Sequence, residues 1–396
     1  MQLNLDYSAL GCIMINMKRS QHNKILSDLK RKMVFLSGPR QVGKSWLARE
    51  IAKDFSRPAY LNWDNSQDRD VISHQAWPRD SDLVVFDELH KMDGWKNFLK
   101  GIYDTKDAST SILVTGSARL ETFRQSGDSL AGRYYLHRLL PISPSEAAQA
   151  GEPKPLAHFM ERGGFPEPFL VEDAKEAGRW RRFYLDGLIR EDILSLENIR
   201  ELRAMNVLVE LLRRRVASPL SYQSLSEDVG VSPNTVRRYI EVLEALYIVF
   251  RIYPHSRSIA RSQVQQPKLY FYDSALVEDL GSRLENHVAV SLLKELWLRE
   301  DEDGIRRELR YLRTKENKEA DFLLTVDDSP RLAVEVKTKD REISSGLYYF
   351  CSKYGFRGLQ LVGELRLEYD RDSIEVRSAQ PWLDSIASKP WIYDIL

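Results

Sequence analysis

The chain has little cysteine, no long apolar run and no excess of either charge. Its two cysteines, Cys12 and Cys351, stand far apart and match no zinc or redox spacing. A disulfide scaffold and a cysteine-ligated metal are thereby excluded as organising features, and a reducing, cytoplasmic setting is expected. No segment approaches the roughly 20 apolar residues that a membrane-spanning helix needs. The short apolar stretch from Ala9 to Met17 carries its positive charges, Lys18 and Arg19, on the far side, the reverse of a signal peptide. Basic and acidic residues number 58 each, so whole-chain charge carries no argument for nucleic acid and only a local patch could. What is present is a chain of 396 residues, 43% of them hydrophobic. That is length for two or three domains, each with a core of its own.

Met33 to Leu36 is a short apolar run of the kind that forms a buried strand. Directly after it come Gly38, Pro39, Arg40, Gln41, Val42, Gly43, Lys44 and Ser45, a complete G-x-x-x-x-G-K-[ST] match. Leu47, Ile51 and Phe55 then recur at helical spacing, with Ala48 and Ala52 beside them. Strand, glycine-rich loop and helix are the context this motif requires. Main-chain N–H groups in such a loop curl around phosphates, and the helix N-terminus adds a favourable dipole. The pattern predicts that these eight residues bind ATP. Lys44 would meet the β- and γ-phosphates, and the Ser45 hydroxyl would ligate Mg²⁺.

A second apolar run, Leu83 to Phe86, ends in Asp87 and Glu88. It reads as a buried parallel strand, and open α/β sheets bind ligands at the carboxyl ends of such strands. Asp87 is expected to hold Mg²⁺ through water and Glu88 to polarise the attacking water. A third run, Ile112 to Val114, leads into Thr115-Gly116-Ser117-Ala118-Arg119. Ser117 and Arg119 are candidates to sense the γ-phosphate, and Arg133 is a candidate arginine finger. A plain loop and a surface charge are the alternatives.

Farther on, Trp180 to Val216 reads as helix, with Phe183, Leu188, Ile193, Leu202, Val207 and Leu211 as packing faces. Ser221 to Val229 is a short amphipathic helix, Gly230-Val231 a turn, and Ser232-Pro233 an N-cap followed by proline at the first helical position. Val236, Ile240 and Leu243 continue at i, i+4 and i+7. This is a helix-turn-helix pattern, with Asn234, Thr235, Arg237 and Arg238 facing outward where base edges would be read. Arg251, Arg257, Arg261 and Lys268 follow without an intervening acid between Ala245 and Tyr272. They suggest a wing that contacts a nucleic-acid backbone, against the alternative of a packing module.

From Leu280 the order is helix, three strands, helix, strand. Glu285 lies in the helix with Val288, Leu292, Leu293 and Leu296; Leu309–Leu312, Asp321–Leu324 and Leu332–Lys337 are the strands. Period two turns Glu335 and Lys337 to the same face.

The strings GPRQVGKS, LVVFDELHK, TGSAR, LAGRYYLHRLLPISPSE and GGFPEP occur in one order. The chain, from about Lys18 onward, resembles the AAA-type, STAND-like P-loop ATPases of bacteria and archaea. In that group a Gly-x-Pro motif of a helical lid contacts the nucleotide, and Gly164-Phe165-Pro166 fits it, although a turn before a helix would read the same. The C-terminal part resembles the PD-(D/E)xK nuclease fold, with Ala320 where the motif has proline. That likeness implies Mg²⁺ on Asp321, Glu335, the Val336 carbonyl and Glu285, with Lys337 orienting the attacking water.

The expected architecture is α/β: a P-loop NTPase parallel sheet (18–140), a helical lid with connecting helices (141–217), a winged helix-turn-helix (218–275) and a C-terminal α/β restriction-endonuclease-like domain (276–396). ATP and Mg²⁺ are the expected ligands, and ATP hydrolysis coupled to DNA is the expected function. A nucleotide-regulated ATPase with a protein partner and an inactive nuclease-like scaffold is the alternative. A homo-oligomer is left open, and no membrane partner is expected.

Overall fold

The computed structural model describes residues 18–116, 130–192, 202–256, 266–339 and 342–389. They fall into two compact units, one of residues 18–140 with 245–247 and one of 141–244 with 248–396.

The first unit is built on strands β1 (Met33–Ser37), β2 (Pro58–Asn62), β3 (Leu83–Asp87), β4 (Ser111–Thr115) and β5 (Tyr134–Arg138), in the order β2-β3-β4-β1-β5. Every neighbour pair is parallel. β1 and β3 are buried along their whole length, which is why both read as unbroken apolar runs rather than alternating ones. One face buries Phe35, Val84, Phe86, Ile112 and Val114 against Trp95 and Leu99 of the helix Trp95–Thr105. The register places Asn62 beside Asp87 and Asp87 beside Thr115. The last residues of β2, β3 and β4 thus form a polar row along the carboxyl edge, and β4 separates the P-loop strand from the Asp87 strand.

The second unit begins with short helices, among them Leu156–Arg162, Pro166–Leu170 and Ala174–Gly187. The apolar faces expected between Trp180 and Val216 need correction. Phe183 is 64% exposed and Val207 39% exposed. Along the helix Leu202–Arg214 the buried stripe is Ala204, Met205, Leu208, Val209 and Leu212 instead. Ile193 lies outside the described residues.

Helix Tyr222–Val229 is capped by Ser221, whose side chain accepts from the Ser224 N–H, and closed by Gly230 at φ 78°. Helix Pro233–Ala245 follows, buries Val236, Ile240 and Leu243, and leaves Asn234, Arg237 and Arg238 exposed. An antiparallel pair, β6 (Val249–Ile252) and β7 (Lys268–Phe271), comes next.

The remaining residues form a six-stranded sheet of β8 (Arg307–Arg313), β9 (Glu319–Val326), β10 (Ser329–Lys339), β11 (Arg357–Glu364), β12 (Tyr369–Arg371) and β13 (Ile374–Ser378), ordered β12-β13-β11-β10-β9-β8. β9 and β10 join through Asp327 and Asp328, both at positive φ, the two-residue turn that matches strand twist. Helix Leu280–Asp303 is buried without a break from Asn286 to Leu296. It packs on β7, β8 and β10, and its buried stretch includes the polar Asn286, His287, Lys294 and Glu295 beside the apolar residues.

Candidate functional site

Each unit holds a buried cluster of polar side chains that includes sequence-predicted site residues. In the first unit the loop after β1 turns through Gly38 (φ 144°), Gln41 (φ 58°) and Gly43 (φ 97°) before the helix Lys44–Ala52 begins. A Cβ on Gly38 would stand 2.1 Å from the Leu139 carbonyl oxygen, so only glycine fits there. Arg19, 1% exposed, donates to the Val42 carbonyl (3.0 Å) and to that of Leu140. One buried guanidinium thus ties the phosphate loop to the chain leaving β5.

Lys44 is 6% exposed, and its Nζ donates to the Gly38 (3.0 Å) and Pro39 (2.5 Å) carbonyls. Burial lowers its ammonium to about 8, outweighing the opposite pull of Glu88 and Asp87. Main-chain carbonyls are weak company for a buried cation, so the position favours an anionic ligand.

Asp87 is 2% exposed and accepts from Tyr60 Oη (2.5 Å), Asn62 Nδ2 (3.3 Å) and Thr115 Oγ1. Asn62 and Thr115 reach it because they flank it in register, and Tyr60 because it lies two residues back on the same face of β2. Burial and Asp87 raise the Tyr60 phenol above its ordinary range, so it stays a donor. Glu88 follows at φ 58°, a left-handed conformation that bulky L residues seldom adopt. Its carboxylate is half-buried, with Lys91 Nζ at 3.3 Å and His90 Nε2 at 3.8 Å.

Ser117 and Arg119 lie outside the described residues. Arg133 makes a two-pronged exposed pair with Asp104, at 2.9 and 3.0 Å. Pro166 is buried at the first position of the helix Pro166–Leu170 in the second unit, where Phe165 leads into it. Nothing in the sequence pattern singled out Tyr60, Asn62 or Arg19. Each acts through a fold contact, although Asn62 and Thr115 do carry a signal as polar residues that end apolar strands.

In the second unit Glu285, Asp321 and Glu335 do come together, and so do Glu319, Lys268, Tyr270 and Lys337. Lys268, 1% exposed, has its Nζ 2.7 Å from Glu319, 3.4 Å from Glu285 and 3.8 Å from Asp321. Tyr270 donates to Glu285 (2.7 Å), the Val336 N–H donates to Asp321 (2.8 Å), and Lys337 donates to Glu335 (2.6 Å). Burial and Asp321 push the Glu285 carboxyl up to about 8 and the Glu335 carboxyl up to about 7. Glu335 Oε2 is buried without a hydrogen-bond partner.

These residues do not fit the divalent ion that the nuclease likeness implies. Among the described residues no three histidine, cysteine, aspartate or glutamate side chains are disposed to hold a metal. An ammonium stands among the carboxylates instead.

The basic wing is corrected by the same contacts. Arg251 is half-buried against Glu244 (2.9 Å) and the Tyr222 hydroxyl (2.7 Å), and Lys268 faces the acids. Neither is presented to a phosphate backbone. Arg257 and Arg261 lie outside the described residues.

Residues 30–148 match the family model described as an AAA domain. The first unit is AAA-family ATPase-like. Two further models, each described as a domain of unknown function (DUF8612 and DUF4143), match residues 153–286 and 280–379. An uncharacterized protein of Mycobacterium tuberculosis is 23% identical over 282 residues, which are 70% of this chain and 63% of that protein. This chain therefore spans less than two thirds of that relative. An uncharacterized protein of Methanocaldococcus jannaschii is 23% identical over 379 residues, covering 84% of this chain and 83% of its own length. A solved structure, a Walker-type ATPase of Pyrococcus abyssi, is similar at a TM-score of 0.43 and 15% identity, covering 68% of this chain and 95% of that one. No helix among the described residues is long and apolar enough to cross a membrane.

Proposed function

We propose that the chain is an ATP–Mg²⁺-dependent switch ATPase. Its first unit binds ATP and hydrolyses it to ADP and phosphate, and its second unit is the module that nucleotide state controls. The observation that carries this reading is the pairing of a buried, under-neutralised Lys44 in the phosphate loop with Asp87, held by three donors at the same sheet edge. The Gly38–Ser45 loop would wrap the phosphates, and Lys44 would exchange its two carbonyls for phosphate oxygens. Ser45 and Asp87, the latter through water, would hold Mg²⁺, which supplies charge neutralisation when bound. Glu88, one residue past the strand, would orient the attacking water. Ser117 remains a proposed γ-phosphate sensor as a polar residue following β4, and Pro166 a proposed nucleotide contact on the family likeness alone.

The test is Glu88→Gln. It should keep ATP binding and lower turnover about 10²- to 10⁴-fold, the usual effect of losing a general base. Full turnover in that variant would remove Glu88 from the mechanism, and an absence of ATP binding by the wild-type protein would sink the reading.

For the second unit the interaction module is favoured over the DNA-cleaving enzyme, because Lys268 stands where the carboxylates would need a metal. DNA contact keeps one specific support, the exposure of Asn234, Arg237 and Arg238 near the start of the helix Pro233–Ala245. An Arg237→Ala variant that shifts duplex DNA no differently from wild type would remove it.

A further inference from the structure

The acidic cluster of the second unit has an unusual supplier for its positive charge. Lys268 does not belong to the sheet that carries Glu319, Asp321 and Glu335; it is the first residue of β7, in the two-stranded pair before the long helix. Its backbone is held from both sides. It pairs with Ile252 of β6 and bridges to Pro219, while Leu220 N–H donates to the Pro267 carbonyl at 2.8 Å. Three residues on, the Asn286 amide donates to the Phe271 carbonyl (2.8 Å) and accepts from the Phe271 N–H (2.7 Å), with no exposure at all. That two-way clamp sets β7 in fixed register on the helix bearing Glu285. Period two then turns Lys268 and Tyr270 to one face, and both reach the Glu285 carboxylate.

An ammonium has three N–H donors and no acceptor. Nζ donates to Glu319 (2.7 Å) and Glu285 (3.4 Å), Asp321 stands at 3.8 Å as an ion-pair partner, and the Tyr311 ring adds a face 5.5 Å away. Although burial alone would lower the Lys268 ammonium, Glu285, Asp321 and Glu319 hold it above the ordinary lysine range. A divalent ion seated on Glu285 and Asp321 would have to share their oxygens with this charge.

We infer that Lys268 is the resident cation of this cluster, a built-in lysine that takes the place of a divalent metal and excludes it. Removing the lysine leaves Glu285 and Asp321, both within 3.8 Å of its Nζ, able to close on a divalent ion, with the unpartnered Glu335 Oε2 as a third oxygen that would have to move in. The inference does not depend on the ATPase reading, since its residues all lie in the second unit.

The experiment is Mn²⁺ titration of the full, nucleotide-free chain, followed by electron paramagnetic resonance, for wild type, Glu335→Gln, Lys268→Met and the double variant. Wild type and Glu335→Gln should bind Mn²⁺ alike. Lys268→Met should gain one equivalent, at an affinity at least roughly tenfold above wild type, and the double variant should lose it. A stoichiometric ion on wild type that Glu335→Gln removes would overturn the inference. So would a Lys268→Met protein that is folded by circular dichroism and gains no Mn²⁺. Should Lys268→Met fail to fold, the wild-type and Glu335→Gln titrations decide alone: equal binding supports the lysine, and Glu335-dependent binding overturns it.

Discussion

Lys44 and Lys268 are both buried lysines beside carboxylates, and their environments drive them in opposite directions. Lys44 touches main-chain carbonyls, with Glu88 and Asp87 near enough to pull but not to bond, and burial lowers it to about 8. Lys268 has three carboxylates within 3.8 Å and is held above its ordinary range. A buried cation short of anions is poorly compensated, which is what the proposed phosphate contact would relieve. A buried cation ringed by carboxylates is part of the frame. The difference is one of a few ångströms, because Coulomb energy and hydrogen bonding in a desolvated site both fall steeply once direct contact is lost.

The contrast can be broken most forcefully at Lys44. Lys44→Ala should lower ATP turnover about 10³-fold while leaving the thermal midpoint of the nucleotide-free protein nearly unchanged. Phosphate release and calorimetry on one preparation would check both halves. A large loss of stability would mean that Lys44 is structural in the way Lys268 is.

Lys268→Met should behave in the reverse manner, costing about 3–5 kcal/mol, as removal of one partner from a buried charge cluster does. Denaturant unfolding would read it, and ATP turnover at a temperature where the variant is folded should be kept. A loss below about 0.5 kcal/mol would show that the carboxylates do not need the lysine.

The next effect is on pH. Glu285 and Glu335 carry folded-state values raised to about 8 and about 7 from 4.5. The folded chain therefore binds more protons than the unfolded chain across that window. Their contribution to stability is complete below about pH 4.5 and is lost as pH rises through 7 to 8, at up to about 1.4 kcal/mol per unit for each group. Stability of the wild-type second unit should fall from pH 5.5 to 8. Glu335→Gln, which cannot ionise, should flatten that fall by roughly half, and an unchanged slope would separate Glu335 from the cluster's titration.

Thr115→Val is the mildest probe. It removes one of three donors to Asp87 and should cost about 1–2 kcal/mol, seen as a higher Mg²⁺ requirement for turnover at saturating ATP. No change in that requirement would leave Tyr60 and Asn62 as sufficient holders of Asp87.

Much of the first unit was legible because its cues are local. An apolar run, eight consecutive loop residues and a helical stripe lie within Met33–Ala52, and backbone geometry alone aims the loop's N–H groups. Asp87 was legible for a similar reason, being the polar end of a buried strand. The helical stretch between Trp180 and Val216 was read less well. Phe183 and Val207 are apolar yet exposed, and a stripe one position away is the buried one. Periodicity gives the spacing of a helical face, and only a packing partner fixes its phase.

The second unit shows the same limit at its candidate site. Glu335 and Lys337 were paired correctly from a two-residue period, and Glu285 and Asp321 do join them. Lys268 was read instead as a surface charge of a basic wing, since its neighbours in sequence include no acid. Its three partners lie 17, 51 and 53 positions later, counted from Lys268 to Glu285, Glu319 and Asp321. By itself, then, the sequence determined the glycine-bearing turn between a buried strand and a helix, which strands are buried throughout and which acids share a strand face, because those properties are written in consecutive residues. Which cations stay available, which are consumed and what fixes Asp87 were decided only when distant strands came into register, since charges interact through space and not along the chain.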